Sequence, residues 1–363
     1  MSALVARIDL AALRANFSIA HQLAPNSLNF AVIKADAYGH GSINCARALD
    51  QADGFAVATL EEAVDLRQHN IEKPILILSR FCQPEDVGVL QHFNLLPVVH
   101  SHYQFDFLIN NHNGRQPINA WLKIDTGMNR LGMNPGEFSS MLERIEKTDR
   151  VNAIGVMSHL ACADETDNEF TNLQLEKFHR IAVKTGLPLS IANSAAIMAW
   201  PDTRKHWNRP GLMLYGISPF TSSKNSRSET PDVKLRPVMN LTSKLISIAN
   251  LNKGEGIGYG QTFVANENLK VGIVACGYAD GYPRHAGTGT PVLVCDRLSR
   301  LLGRVSMDTL AVDLTSVPDA EIGSEILLWG STLSVNEIAK HAGTISYELL
   351  TSVSKRVPRQ YFN

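Results

Sequence analysis

Lys34 closes a short apolar run, Phe30-Ala31-Val32-Ile33, and precedes small and turn-forming residues that reach Gly41. The run reads as a buried strand and the glycine-containing stretch after it as a loop, with a helical pattern from Ser42 onward. A lysine at such a junction has two fates. Desolvated, its ammonium gives up its proton more readily and the free amine attacks carbonyls; left in water, it is an ordinary surface charge. Tyr38 adds a hydroxyl nearby, and Gly39 and Gly41 permit close backbone approach to a ligand. Other stretches offer complementary chemistry. Arg130 ends the segment Lys123-Ile124-Asp125-Thr126-Gly127-Met128-Asn129, and its planar fork suits a carboxylate. Ser194, in Ile191-Ala192-Asn193-Ser194, lies at a helix start, where a hydroxyl and free N–H groups either bind phosphate or cap the helix. His159, Arg209 in Asn208-Arg209-Pro210-Gly211, and the glycine-rich run around Tyr259 read in isolation as structural or surface features.

The elements that must hold these residues alternate regularly. Apolar runs at 30–33, 54–58, 74–78, 95–99, 119–124, 153–157, 187–192 and 212–215 read as strands, and helical patterns separate them. Such alternation predicts a (β/α)8 barrel, and runs this apolar fit a parallel sheet buried on both faces. The polar residues at the strand ends, Lys34, His159 and Ser194 among them, then share one rim, where barrel enzymes keep their catalytic groups. Residues 218–237, rich in Ser, Thr, Pro and Lys, read as an exposed linker. Beyond it, short apolar runs between glycine turns at 239–248, 270–275, 291–295, 301–305, 309–314 and 326–329 predict a mainly β domain, with helices at 335–341 and 347–355. The division expected is a barrel over 1–232 and a β domain over 233–363.

Composition narrows the class. Hydrophobic residues make up 44% and charged ones 19%, as in a folded globular chain, and the net charge of -1 without a basic run argues against nucleic acid as a partner. Five cysteines, none in a C-x-x-C pair, argue against a disulfide framework or a zinc site. The N-terminal residues lack a charged leader followed by an apolar core, and no apolar run reaches membrane-spanning length. A cytoplasmic enzyme without a metal is expected.

The segment from Phe30 to Gly41 resembles the cofactor-lysine segment of alanine racemases, and the later motifs come in that family's order as far as Tyr347. The resemblance implies a TIM barrel carrying pyridoxal 5'-phosphate as an imine on Lys34, with the interconversion of L- and D-alanine as the reaction. The D-alanine would supply peptidoglycan synthesis or enter catabolism. It implies that Lys34 and Tyr259 exchange protons with opposite faces of Cα. Tyr38, Ser194, Gly211 and Tyr347 would hold the phosphate, with His159 beside the ring. Arg209 would meet the pyridine nitrogen; being always protonated, it can only donate there. Arg130 and the Met307 N–H would take the substrate carboxylate, Tyr278 would line the entrance, and Lys123 would be carbamylated against Arg130. Tyr259 and Met307 would reach the site of a second copy, so a homodimer with shared sites is implied.

Two other readings use different residues. His100-Ser101-His102 after the fourth strand forms an H-x-H pair, as in metal-dependent barrel hydrolases, but those need it on the first strand with an Asp ending the eighth. A cofactor-carrying regulator without turnover would not need the β domain that carries Tyr259 and Met307.

Overall fold

Eight parallel strands close into a barrel in the computed structural model, which describes residues 3–81, 83–220 and 233–363. They are Leu28–Val32, Gly54–Thr59, Ile75–Arg80, Leu96–Val99, Ile118–Lys123, Val151–Met157, Leu189–Ser190 and Trp207–Asn208. Their apolar runs are buried on both faces, as Phe55, Ala56 and Val57 and then Ile75, Leu76 and Ile77 illustrate. Aromatic rings fill the interior. Phe30 stacks on Trp207 at 4.0 Å between centroids, and Trp121 meets both edge-on at 5.8 and 6.3 Å. The helices between strands begin on polar caps. Thr59 and Glu62 form a reciprocal capping box on Leu60–Gln68, and Asn134 and Glu137 do the same on Pro135–Ile145.

The eighth strand departs from the sequence reading. Residues 212–215 are a 3-10 turn, Leu212–Tyr215, and the barrel closes instead through Trp207–Asn208, which pairs with Leu28–Val32. The physical reason is that a short apolar run states burial but not conformation. All four residues of the turn are buried, and the Tyr215 hydroxyl donates to the Val32 carbonyl at 2.9 Å instead of a ladder forming. Arg209 therefore comes directly after the last barrel strand and stands on the same rim as Lys34, His159 and Ser194.

The remainder of the chain builds an eight-stranded sheet. Its order is Leu269–Val274, Leu310–Asp313, Arg297–Leu302, Pro291–Val294, Glu325–Trp329, Met239–Leu251, Val5–Asp9 and Arg359–Phe362. Met239–Leu251 is long enough to pair with Glu325–Trp329 along its first half and with Leu269–Val274 along its second, so six of these strands curl into a ring. Val5–Asp9, which the sequence division counts with the barrel, lies in this sheet, antiparallel to Met239–Leu251 and parallel to Arg359–Phe362. Much of the expected linker, 221–232, lies outside the described residues.

The two parts meet behind Lys34. Helix Ser346–Ser352 packs on the turn after Lys34 so closely that a side chain at Gly39 would sit 2.1 Å from the Leu350 carbonyl oxygen. Gly39 also has φ +81, which favours glycine. Arg359 fastens the contact, donating to the Gly39 carbonyl at 3.1 Å and to the Val353 carbonyl at 2.7 Å.

Candidate active site

The residues after Lys34 do not form a simple loop. Ala35, Asp36, Ala37 and Tyr38 all have φ between 51 and 53, one turn of left-handed helix with no glycine in it. L-residues resist this conformation by roughly 1–2 kcal/mol each, so surrounding contacts must impose it. They are present on each side. The Ala35 N–H donates to Glu62 at 2.6 Å, Ser42 N–H donates to Asp36 at 2.8 Å, and His40 Nδ1 lies 3.0 and 2.9 Å from the carbonyls of Ala37 and Tyr38. The turn brings Lys34 and Tyr38 to one cavity of about 850 Å³ at the barrel mouth.

That cavity is also lined by Lys123, Arg130, His159, Ser194, Arg209, Gly211 and Tyr347. Its electrostatics are dominated by cations. Burial, then Arg130, lowers the proton affinity of the Lys34 amine, and Glu62 partly opposes them. Burial, then Arg209 and Arg130, brings Lys123 down to about 8. Burial together with Arg209 and Lys123 holds His159 well below the usual histidine range, so its ring is neutral at pH 7. Burial lowers Arg209 only to about 10, so it remains charged. A site this rich in positive charge fits ligands with several negative charges.

Each end of the cavity has its own donors. At one end the Ser194 hydroxyl accepts the Gly211 N–H at 2.8 Å and the Met213 N–H at 3.2 Å, leaving its own proton to donate. Asn193, not Ser194, caps the next helix, through the Ala196 N–H. A Cβ at Gly211 would stand 2.9 Å from the Tyr38 hydroxyl, so the glycine keeps open a cradle between them. The Tyr38 and Tyr347 rings lie 5.9 Å apart, and burial raises both phenols, Tyr347 to about 12, so both are neutral donors. This set of hydroxyls around the space that Gly211 leaves fits a phosphate. On the floor, Arg209 donates to the Ser158 carbonyl at 2.6 Å and to the Ser190 hydroxyl, and lies 3.5 Å from His159 Nδ1. Gln174, fully buried on helix Phe170–Ala182, joins the two neighbouring loops. It donates to the His159 carbonyl at 3.1 Å and to Thr126 at 3.3 Å, and it accepts the Ala161 N–H at 2.8 Å.

Three of the sequence-derived site residues are elsewhere. Tyr259, Met307 and Tyr278 belong to the β part and do not line the cavity of their own chain. They are 69%, 54% and 38% exposed, unusual for large apolar side chains. Tyr278 and Ala279 donate backbone N–H groups to Ser306 and Met307, both at 3.0 Å, and a side chain at Gly260 would come 3.2 Å from the Arg304 guanidinium. The three therefore share one exposed patch. In the rival H-x-H pair, His102 Nδ1 lies 3.2 Å from Arg144 on a neighbouring helix, while His100 stands nearer Lys123. The described residues contain no cluster of three or more metal-ligating side chains and no helix long and apolar enough to cross a membrane.

Sequence reasoning missed Glu62, Ser190 and Gln174. Thr59-x-x-Glu62 was readable as a capping box, but its reach to Ala35 was not; Ser190 and Gln174 carry no local signal.

Known proteins share this design across the whole chain. The family model described as "Alanine racemase, N-terminal domain" matches residues 8–219, and "Alanine racemase, C-terminal domain" matches 238–361. An alanine racemase of Nitrosomonas eutropha is 45% identical over 356 residues, 97% of each chain. A protein of Pseudomonas putida named "Alanine racemase, catabolic" is 44% identical, covering 98% of each. The crystal structure of the biosynthetic alanine racemase from Pseudomonas aeruginosa superposes with a TM-score of 0.94 at 42% identity, covering all of both chains. A barrel with this rim, a β part with this exposed patch, and full-length relatives of one name lead to one conclusion: the chain belongs to the alanine racemase family.

Proposed function

We propose that the barrel-mouth cavity is where this enzyme interconverts L- and D-alanine, with pyridoxal 5'-phosphate as cofactor and Tyr259 supplied by a second copy of the chain. The supporting observation is the division of groups. Lys34, Arg130, His159, Ser194 and Arg209 line one cavity, whereas Tyr259 and Met307 stand exposed outside it. In this reading the barrel unit of 1–232 carries the lysine, and the β unit of 233–363 presents the phenol.

Pyridoxal phosphate, when bound, supplies an electron-withdrawing ring that acidifies the Cα–H of an attached amino acid. The chain's own groups do the rest. The Tyr38, Ser194 and Tyr347 hydroxyls would hold the phosphate as neutral donors, with Gly211 leaving room between them. Arg209 keeps its proton and would offer it as a hydrogen bond to the ring nitrogen, which would leave the ring uncharged and a weaker electron sink. His159 would lie beside the ring as a neutral imidazole. Arg130 and the Met307 N–H from the second copy orient the carboxylate, and Tyr278 borders the entrance.

Lys34 exchanges a proton with Cα on the face used for D-alanine, and Tyr259 on the face used for L-alanine. The lowered proton affinity of Lys34 suits it to act as a base near neutral pH. Lys123, an amine of low basicity facing two arginines, is suited to take up CO2 as a carbamate, forming an N–C bond and releasing a proton. The resulting anion would pair with Arg130. The working unit is a homodimer in the cytoplasm; the described cysteines other than the exposed Cys295 and the part-exposed Cys162 are buried, and all four are unpaired. Lys34→Ala tests the cofactor anchor. Its visible absorbance band should vanish; retention of the band by the variant would exclude Lys34.

A further inference from the structure

A capping-box glutamate normally serves its own helix: the carboxylate reaches back to the N–H of the cap residue and its work ends there. Glu62 goes further. One oxygen, Oε2, accepts the N–H groups of Ala58 at 2.7 Å and Thr59 at 3.3 Å, at the head of helix Leu60–Gln68. The other, Oε1, crosses to the preceding barrel strand's loop and accepts the Ala35 N–H at 2.6 Å. Ala35 is the first residue of the left-handed turn and is bonded directly to Lys34. We propose that Glu62 is a positioning residue for racemisation, its two carboxylate oxygens tying the end of one barrel strand to the turn that aims the Lys34 amine into the cavity.

The proposal rests on the assignment of Lys34 to the reaction. Its physical basis is separate. Four consecutive non-glycine residues in the left-handed region do not persist unless neighbours fix them. Glu62 is the side chain that bonds the turn at its first N–H. An amide cannot replace it, because it has one acceptor oxygen and the two sides require two. The charge also matters at the amine. Arg80, Lys123, Arg130, His159 and Arg209 line the same cavity as Lys34, and Asp164 and Glu348 are its acidic lining residues. Glu62 is the anion that raises the proton affinity of Lys34 against burial and Arg130.

The test compares Glu62→Gln with Thr59→Ala, which removes the helix cap but leaves the link to Ala35. Two readouts are taken. The first is turnover of the holoenzyme. Glu62→Gln should lower kcat on the order of 10- to 100-fold while KM for alanine stays within about two-fold, as expected when a reacting group is misaimed. The second is the pH dependence of acylation of the Lys34 amine in the cofactor-free chain, read by peptide mass. Its midpoint should move to lower pH in Glu62→Gln, because the anion that favours the ammonium is gone. Thr59→Ala should lower Tm and leave both readouts at their wild-type values. Wild-type kcat and an unmoved midpoint in Glu62→Gln would overturn the proposal, and so would a Thr59→Ala variant that matches Glu62→Gln in both. If Glu62→Gln does not fold, Glu62→Asp replaces it, since its shorter arm keeps the charge but cannot span both sites; lowered kcat supports the tie and wild-type kcat overturns it. The acylation profile needs no cofactor, so failure here is distinguishable from failure of Lys34 as the anchor.

Discussion

Tyr259 and Lys123 pose the sharpest questions at the scale of single residues. A free phenol is a poor base at neutral pH, so the role proposed for Tyr259 requires cations such as Arg130 and Arg209 of the cavity it would enter. In the proposed mechanism, Tyr259→Phe removes a proton carrier and none of the groups assigned to the cofactor. Racemisation should fall about 10²- to 10⁴-fold, measured by polarimetry on L-alanine, with the cofactor's absorbance intact. Lys123 makes a prediction about stability. Its folded-state value of about 8 lies below the ordinary lysine value of 10.5, so the unfolded chain binds the proton more tightly. The penalty is full below pH 8 and fades as pH rises toward 10.5. In CO2-free buffer, the cofactor-free Lys123→Met variant should exceed the wild type in Tm at pH 7, and the gap should narrow as pH rises from 8 toward 10.5. Most of the cavity's residues were legible because they sit at strand ends within distinctive segments. Glu62 and Gln174 were not, because their importance comes from bonds to residues 27 and 15 positions away.

Among the elements, the barrel strands announced themselves through apolar runs, while two short pieces concealed their conformation. Leu212–Tyr215 is as apolar as any strand yet forms a buried turn, held by the Tyr215 hydroxyl on Val32 and by ring packing with Tyr38 at 4.8 Å. The left-handed turn Ala35–Tyr38 contradicts the intrinsic preference of its own residues and is dictated by Glu62, His40 and helix Ser346–Ser352. The strand Val151–Met157 carries a further prediction. A Cβ at Gly155 would lie 2.6 Å from the Trp121 ring, which is itself buried and packed edge-on against Phe30 and Trp207. Gly155→Ala should therefore destabilise the chain by about 1–3 kcal/mol, read as a lower urea midpoint with an unchanged slope.

On the scale of the whole molecule, the chain keeps the two sets of groups assigned to the reaction apart. The cavity opens at the barrel mouth, and the patch of Tyr259, Tyr278 and Met307 is exposed on the β part. The sequence showed both halves through motifs spread from Lys34 to Tyr347, but a linear order of motifs carries no statement about which chain each one serves. Complementation shows whether the two sets of groups work across a pair of chains. Lys34→Ala and Tyr259→Phe are each expected to be inactive when expressed alone. Co-expressed with different affinity tags, they form mixed pairs in which one site combines Lys34 from one chain with Tyr259 from the other. The co-expressed sample should recover roughly a quarter of wild-type racemase activity, since half the pairs are mixed and each mixed pair has one intact site of two. Mixed pairs recovered on both tags that are no more active than either variant alone would contradict the account.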